Sequence, residues 1–471
     1  MSPNNCLAPC NYLCNNNQRS AKVNAQDYTF FIRDMGRMLS TSSFRHWGAV
    51  LPCLLFAIIP ASAQNIITPP PQTRALPSAV QERQDSNPMQ VFASQETAPT
   101  MPLQLGPVIM HPHLDYQLLY GSGIESSPGQ RQNSVIQQFS PGVLFNLGDH
   151  WTLDYTPTLY FYSSSNLRNN VNESAQLGWG TAYNDWFFSG SQSYGSSSSP
   201  NAETAAQTDQ EIYSTMFNAS YQFNDKMSLD MGFNQIFNYV GSGGSSTNLL
   251  QNLTNSRGWS TMDWLNYEFW SRFNAGLGFG FGYNQQDGSP DSIYEQYQAR
   301  VNWRATDKIS FQLGGGLQDQ QYLGGGASAL LTPILNAIIQ YQPFEQTKLS
   351  VSAGRAVNPS LFQNQVTENT QIMGDLNQRL LGRLYLDLSG GYSTTKYLSS
   401  AGSSSAASSA GRKDDYYIFN ARLNYIVLKR ATVSIFYGYS DNASHQSGFA
   451  TSGSGFAYTS RQVGFEIGYR Y

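Results

Sequence analysis

From residue 106 onward, apolar and polar residues alternate along the chain in runs with a period of two. Residues 461–471 read R-Q-V-G-F-E-I-G-Y-R-Y. Val463, Phe465, Ile467, Tyr469 and Tyr471 fall on one parity; Gln462, Gly464, Glu466, Gly468 and Arg470 fall on the other. Period two is the geometry of a strand whose faces meet different surroundings. Residues 151–162 repeat it, with Leu153, Tyr155, Leu159 and Phe161 opposite Asp154, Thr156, Thr158 and Tyr160. In residues 272–283, Phe273, Ala275, Leu277, Phe279, Phe281 and Tyr283 alternate with Arg272, Asn274, Gly276, Gly278, Gly280 and Gly282. A water-soluble sheet seldom leaves an inner face of glycines, whereas a crowded inner wall tolerates one.

The connections sort by parity. Short ones are rich in turn formers: 148–150, 184–185, 224–226, 305–307, 381–382 and 429–430. The others, 195–210, 241–258, 394–414 and 440–457, are long and full of Ser, Gly and Asn. A β-sandwich has no reason to sort its loops this way. An all-β, closed antiparallel transmembrane β-barrel does, with short periplasmic turns and long extracellular loops, here of about eighteen strands (16–18). The weakest alternation lies near residues 366–380.

Composition fits this reading without forcing it. Only 12% of the 471 residues are charged, the formal net charge is −4, and 13% are aromatic, with 29 Tyr and 26 Phe. No basic footprint suggests a nucleic-acid partner. Residues 35–63 have the form of a secretory signal: Arg37 and Arg45, an apolar stretch over 47–59, and Ala61-Ser62-Ala63 before Gln64. Pro52 and Pro60 interrupt that stretch, which is too short for a membrane anchor. Residues 1–34 carry no pattern, and Met35 or Met38 is a candidate start. Residues 64–104, with Pro69-Pro70-Pro71, read as a flexible periplasmic segment, and 105–471 as the barrel. The four cysteines, Cys6, Cys10, Cys14 and Cys53, all precede the mature chain, and their spacing matches no zinc pattern. No metal and no cofactor is expected.

Charged side chains cost several kcal/mol on a lipid-facing surface at mid-membrane, so the lumen is their default place. Parity puts the acids Asp115, Asp154, Asp230, Asp387 and Glu466 there, with the bases Arg272, Arg300, Lys348, Arg422 and Arg470. Such a mixed wall orients polar solutes, or its charges pair and brace the barrel. Tyr160, Tyr294, Tyr385 and Tyr416 share that parity and are candidates for stacking sugars. His111, His113 and Asp115 form an i, i+2, i+4 row that could supply a base and its orienting acid, or bind a metal. No nucleophile is marked beside them, and polar lining of the barrel is the simpler account.

Two resemblances follow from these residues. The last strand resembles the C-terminal signal read by the bacterial barrel-assembly machinery, through Gln462, Gly464, Ile467, Tyr469 and Tyr471. Residues 106–120 and 139–155 resemble the outer-membrane β-barrel porin family often associated with exopolysaccharide secretion in Gram-negative bacteria. Gly106-Pro107, Pro112, Pro141-Gly142 and Tyr155 carry that likeness; the loop Gly121-Ser122-Gly123-Ile124-Glu125 departs from it. The likeness implies a bacterial outer-membrane channel for polar solutes or a polysaccharide, in contact with outer-membrane lipid and lipopolysaccharide. A barrel closed by its own side chains, structural or adhesive, is the rival. A barrel enzyme using His111 and Asp115 is the third reading.

Overall fold

The computed structural model describes residues 103–148, 150–241, 253–324, 328–400, 411–428, 430–446 and 456–470. The expected regions 1–34 and 35–63, nearly all of 64–104, and Tyr471 lie outside them. A short strand β1 (Leu103–Leu105) turns at Gly106-Pro107 into β2 (Val108–Ser127). Then come β3 (Gln130–Leu147), β4 (Trp151–Tyr162), β5 (Asn170–Tyr183) and β6 (Trp186–Ser197). β7 (Pro200–Asn201) and β8 (Ala206–Gln207) form a small separate hairpin. The wall resumes with β9 (Asp209–Asn224), β10 (Met227–Gly241), β11 (Ser256–Trp270) and β12 (Phe273–Gln286). It continues through β13 (Asp291–Arg304), β14 (Ile309–Leu323), β15 (Leu330–Phe344), β16 (Thr347–Pro359) and β17 (Gln365–Leu381). β18 (Leu384–Ser399), β19 (Arg412–Leu428), β20 (Ala431–Gln446) and β21 (Tyr458–Arg470) complete it.

These elements form one 19-stranded sheet and the β7–β8 hairpin. Sequence neighbours pair antiparallel, and β6 pairs with β9 across the hairpin. β21 then pairs with β2, from His113–Arg470 to Ser122–Arg461. β1 adds only to the beginning of β2. The other eighteen strands therefore close on themselves, which leaves no unpaired backbone edge along the wall. Strand pairing starts at Leu103, slightly before the expected boundary at 105.

The short connections expected from the sequence all lie at one end, the turn end. Two further turns there, Ser271-Arg272 and Glu345-Gln346, carry no glycine, asparagine or aspartate to mark them in the sequence. At the opposite end the strands run further than expected. β18 continues to Ser399 and β19 begins at Arg412, inside the stretch 394–414 that reads as loop. One connection at this loop end, Pro128-Gly129, is tight.

The outer face carries the apolar parity. Leu277 is 70% exposed and Ile435 61%, values a water-soluble core would not tolerate. Stacked aromatic pairs ring the turn end: Trp151–Trp179, Trp270–Phe273 and Trp303–Phe311. A second set, the stacked Trp259–Tyr283 and the tilted Tyr194–Tyr213 and Tyr392–Tyr417, lies towards the loop end. Two aromatic girdles bounding an apolar band are how barrel strands meet the two membrane interfaces.

The inner glycines of β12 have a packing reason. Trp264 of β11 and Tyr294 of β13 lie across them, so a Cβ at Gly278 would stand 2.7 Å from Trp264 and one at Gly282 2.1 Å from Tyr294. Gly278→Ala should therefore displace Trp264, at about 1–3 kcal/mol, the usual cost of overpacking. In detergent gels, the folded band of that variant should convert to the unfolded one at a lower temperature than wild type. Gly315→Ala, where the nearest atom is 3.6 Å away, should not shift it.

The segment 121–125, where the family likeness breaks, is a bulge. The β2–β3 register slips between Gly121 and Ile124. Gly123 takes φ +73°, and a Cβ there would stand 2.0 Å from the Thr459 carbonyl oxygen, so only glycine fits. The slip reverses the parity of β2 and turns Ile124 into the barrel, where it is buried with Leu119, Ile136, Tyr160 and Leu167.

Candidate functional site

The inner face is built in three levels. Near the turn end, Asn146 Nδ2 and His111 Nε2 are 3.3 Å apart. His113 Nε2 lies 3.0 Å from Thr156 Oγ1, which donates to Asp154 Oδ1 at 2.8 Å. Asp115 stands beside Gly468, where an added Cβ would come within 2.8 Å of its carboxylate. Each histidine thus has its own polar neighbour. Among the described residues, no group of three or more His, Cys, Asp or Glu could hold a metal ion.

At mid-height, charges pair over the strands between them. Arg300 on β13 reaches Asp230 on β10 at 2.6 Å, across the two intervening strands. It also donates to Asn266 Oδ1 from Nε at 3.0 Å and lies 4.4 Å over the Trp264 ring. The glycine floor of β12 leaves the room for this span. Asp230 further accepts from Asn266 at 2.8 Å and Ser220 at 2.7 Å. Arg422 on β19 reaches Glu466 on β21 at 3.3 Å, and Gln117 donates to the same carboxylate at 2.6 Å. That contact locks the β2–β21 seam from within. Asp387 accepts from Asn377 and Asn424. On β13 and β14, Gln298, Gln296, Gln318 and Gln320 hydrogen-bond in sequence and end at Ser292.

Three expected lining residues lie at the turn end, Arg272 off the wall and the other two on it with inward parity. Arg272 sits in the turn before β12, exposed, and pairs with Asp307 of the next turn at 2.9 Å. It is not on the wall, because the strand begins only at Phe273. Lys348 and Arg470 lie at the turn-end rim and are exposed. Of the four tyrosines, Tyr160 and Tyr416 are buried in apolar clusters and Tyr294 lies over Gly282, so their ring faces are already covered.

The loop end holds what the sequence did not mark. The hairpin of β7 and β8 leaves the wall between β6 and β9 and packs against β2. Ala202 at its tip packs with Tyr416 and Tyr458, from β19 and β21. Ala205 packs with Phe362 and Phe456, with Leu253 beside them. Leu253 and Phe362 form a bridge, and Thr254 N donates to Leu361 O at 2.9 Å. Segments from four different connections therefore meet inside the mouth.

Glu203 latches this plug. Its carboxylate accepts from Ser360 Oγ and from Leu361 N, the latter at 3.0 Å. Its carbonyl oxygen accepts from Arg412 Nη1 at 3.0 Å. Arg412 is fully buried, forks onto Asp414 with Nε to Oδ1 at 2.9 Å, and lies between the rings of Tyr397 and Phe456, at 4.5 and 3.8 Å. A buried guanidinium needs this full set of partners. Burial pushes the Glu203 carboxyl above its ordinary value, against the opposing pull of the two hydrogen bonds and of Arg412. The sequence offers one faint signal: Arg412 and Asp414 share parity at the entrance to a strand.

A closed barrel with an apolar outer band and two aromatic girdles is a membrane-spanning barrel of the outer-membrane type. The sequence matches no protein-family model and no curated protein. Among solved structures, Pseudomonas aeruginosa OccK3 (OpdO) is similar at TM-score 0.40 and 13% identity, covering 77% of this chain and 95% of that one. The siderophore receptor PirA from Acinetobacter baumannii is similar at TM-score 0.40 and 10% identity, covering 77% and 80%. The copper transporter OprC gives TM-score 0.39 and 10% identity, covering 79% and 81%. Likenesses this loose assign no residue role and no substrate to this chain.

Proposed function

We propose that the chain is an outer-membrane channel for polar solutes whose outer mouth is closed by a latched plug. The observation that carries this reading is the Glu203–Ser360–Arg412 junction. A barrel that served only as a scaffold could fill its mouth with apolar side chains. Here the filling is a hairpin seated by two small apolar clusters and latched by the Glu203 carboxylate and a few hydrogen bonds, an arrangement that can be released. Below the plug the wall is polar, lined by the Arg300–Asp230 and Arg422–Glu466 pairs and by Gln, Asn and Ser side chains between them, which suits hydrophilic solutes. Export of an exopolysaccharide is the finer form of this proposal, and only the sequence likeness of residues 106–120 and 139–155 supports it. The last strand would be read by the barrel-assembly machinery.

The test is reconstitution in planar bilayers. Wild-type protein should show a low basal conductance with brief larger openings, and neutral oligosaccharides should shorten those openings. A folded protein that never conducts favours the second reading, a closed structural barrel, which the packed mouth also fits.

A further inference from the structure

Asp263 is an acid on the outer face, inside the apolar band. Its register partners, Met231 on β10 and Phe279 on β12, face outward with it. It lies between the loop-end girdle at Trp259 and the turn-end girdle at Trp270 on the same strand. At the usual rise and tilt it stands roughly 18 Å above the turn end, within an apolar band about 25 Å tall. A carboxyl in hydrocarbon is costly, and such groups ordinarily have a polar partner. One backbone hydrogen bond, at Gly232, leaves most of its acceptor capacity unused.

The residues level with Asp263 point to that partner. Counted from the turn end, Asp263 on β11, Phe233 on β10, Phe217 on β9 and Gln192 on β6 each stand six or seven residues along their strands, so they share one depth. The four strands are consecutive in the wall. Phe217 and Phe233 are directly paired at the centre, 40% and 37% exposed. Gln192 is exposed at the other end of the line, and its Oε1 accepts from Thr215 Oγ1 at 2.5 Å. Its amide nitrogen meets only Ser193 O, at 3.3 Å, so one N–H is left to donate. Above the phenylalanines, Thr215 is paired with Gln235 across the same joint; below them, the small Ala219 is paired with Met231.

This face is self-complementary. A two-fold axis along the membrane normal, passing between β9 and β10, exchanges the two ends of the line. It sets Asp263 of each copy against Gln192 of the other, with the phenylalanines packed between. We propose that two copies of this chain associate in the membrane through the β6–β9–β10–β11 face, each Asp263 accepting from the Gln192 amide of the second copy. Lipid provides no hydrophobic drive between apolar surfaces, so packing and hydrogen bonds made within the hydrocarbon decide association. The axis brings Thr215 and Gln235 of both copies together as a second polar layer, and Ala219 leaves room at the centre for close approach. The proposal rests on the barrel spanning the outer membrane and not on its being a channel.

The experiment uses the full chain, in outer-membrane fractions and in mild detergent. Wild type should be a dimer in native mass spectrometry. Asp263→Leu should weaken dimerisation about tenfold, as expected for two lost hydrogen bonds in a membrane. Its folded, heat-sensitive gel band should survive, because leucine suits the lipid face. Gln192→Leu should have the same effect, and the two changes together should do no more than either alone. Asp263→Asn, which keeps an acceptor, should retain the dimer. Phe217→Cys should cross-link to itself with a short bis-maleimide, whereas Phe419→Cys, across the barrel on β19, should not. A folded but monomeric wild type overturns the proposal, as does a dimer unchanged by Asp263→Leu. Equal cross-linking at the two cysteine positions overturns it too, and so does a product of any mass other than two chains, which would mark a different partner. A wild-type protein with no heat-sensitive band would overturn the barrel reading and this proposal with it.

Discussion

Replacing residues 200–207 with a short glycine-serine turn should raise single-channel conductance severalfold without loss of the folded, heat-sensitive band. The hairpin contributes Ala202 to one apolar cluster in the mouth and Ala205 to another, and Glu203 to the junction with Ser360 and Arg412. None of these contacts holds the wall together, because β6 and β9 pair directly. Removing the hairpin leaves Arg412 on Asp414, so no lone buried charge remains. Glu203→Gln is the finer variant, since an amide oxygen can still accept from Ser360 and Leu361 N. Because burial raises the Glu203 carboxyl, the latched state holds a proton that the released state gives up as pH climbs past the ordinary glutamate range. The latch is therefore strongest in acid and weakens as pH rises through the raised value. Wild-type openings should lengthen as pH rises above the ordinary glutamate range, and Glu203→Gln should abolish that dependence. Conductance unchanged by the hairpin deletion would mean that the mouth is not the constriction.

Ile467→Arg should sharply lower the yield of folded protein in the outer membrane. Ile467 is 44% exposed on the outer face and lies between Tyr116 and Val433 of the neighbouring strands. An arginine there meets hydrocarbon, at roughly 2–4 kcal/mol near the midplane and less towards an interface. Gly468→Arg points inward, towards Asp115 and Thr432, whose side-chain oxygens would lie 2.8 and 2.9 Å from the new Cβ. Both are side chains and Asp115 is anionic, so this variant should assemble better than Ile467→Arg, though below wild type. Loss of residues 469–471 should give the lowest yield, because it shortens the seam to β2. Heat-shift gels on outer-membrane fractions rank the four proteins. Normal assembly of Ile467→Arg with failure of Gly468→Arg would reverse the assignment of faces.

Much of the wall is legible in the sequence because one rule, period two between lipid and lumen, acts on every strand. Even β17, whose alternation is poor, forms as expected over Gln365–Leu381. Its outward positions include Glu368, which lies above the apolar band and meets Arg355 and Lys396, so no rule of burial is broken. Where strands leave the membrane the rule lapses. Thr394, Thr395 and Lys396 then read as loop although they are paired. Arg272 reads as wall because a serine-arginine turn has no local signature. Asp263 shares the outward parity of Met231 and Phe279 at mid-strand, against the expectation that charges turn inward. The plug is illegible for a different reason. Its contacts join residues far apart in sequence, such as Glu203 with Ser360 and Arg412, and no periodicity records such meetings. The parity reversal at Gly123 depends on one bulge, which a pattern read from either side cannot locate.

The seam between β2 and β21 differs from the other joints of the ring only in sequence distance. Gln117 and Glu466 are 349 positions apart, whereas every other pairing in the eighteen-strand wall joins wall strands that follow one another along the chain. The ring is thus cyclic in all but its covalent chain. Joining the lower end of β21 to β1 and opening the chain at another turn would preserve every rung of the ladder while relocating the gap. Such a circular permutant would keep the pairing of β21 with β2 while placing another strand last, and so test the proposal that β21 is read by the cell's insertion apparatus.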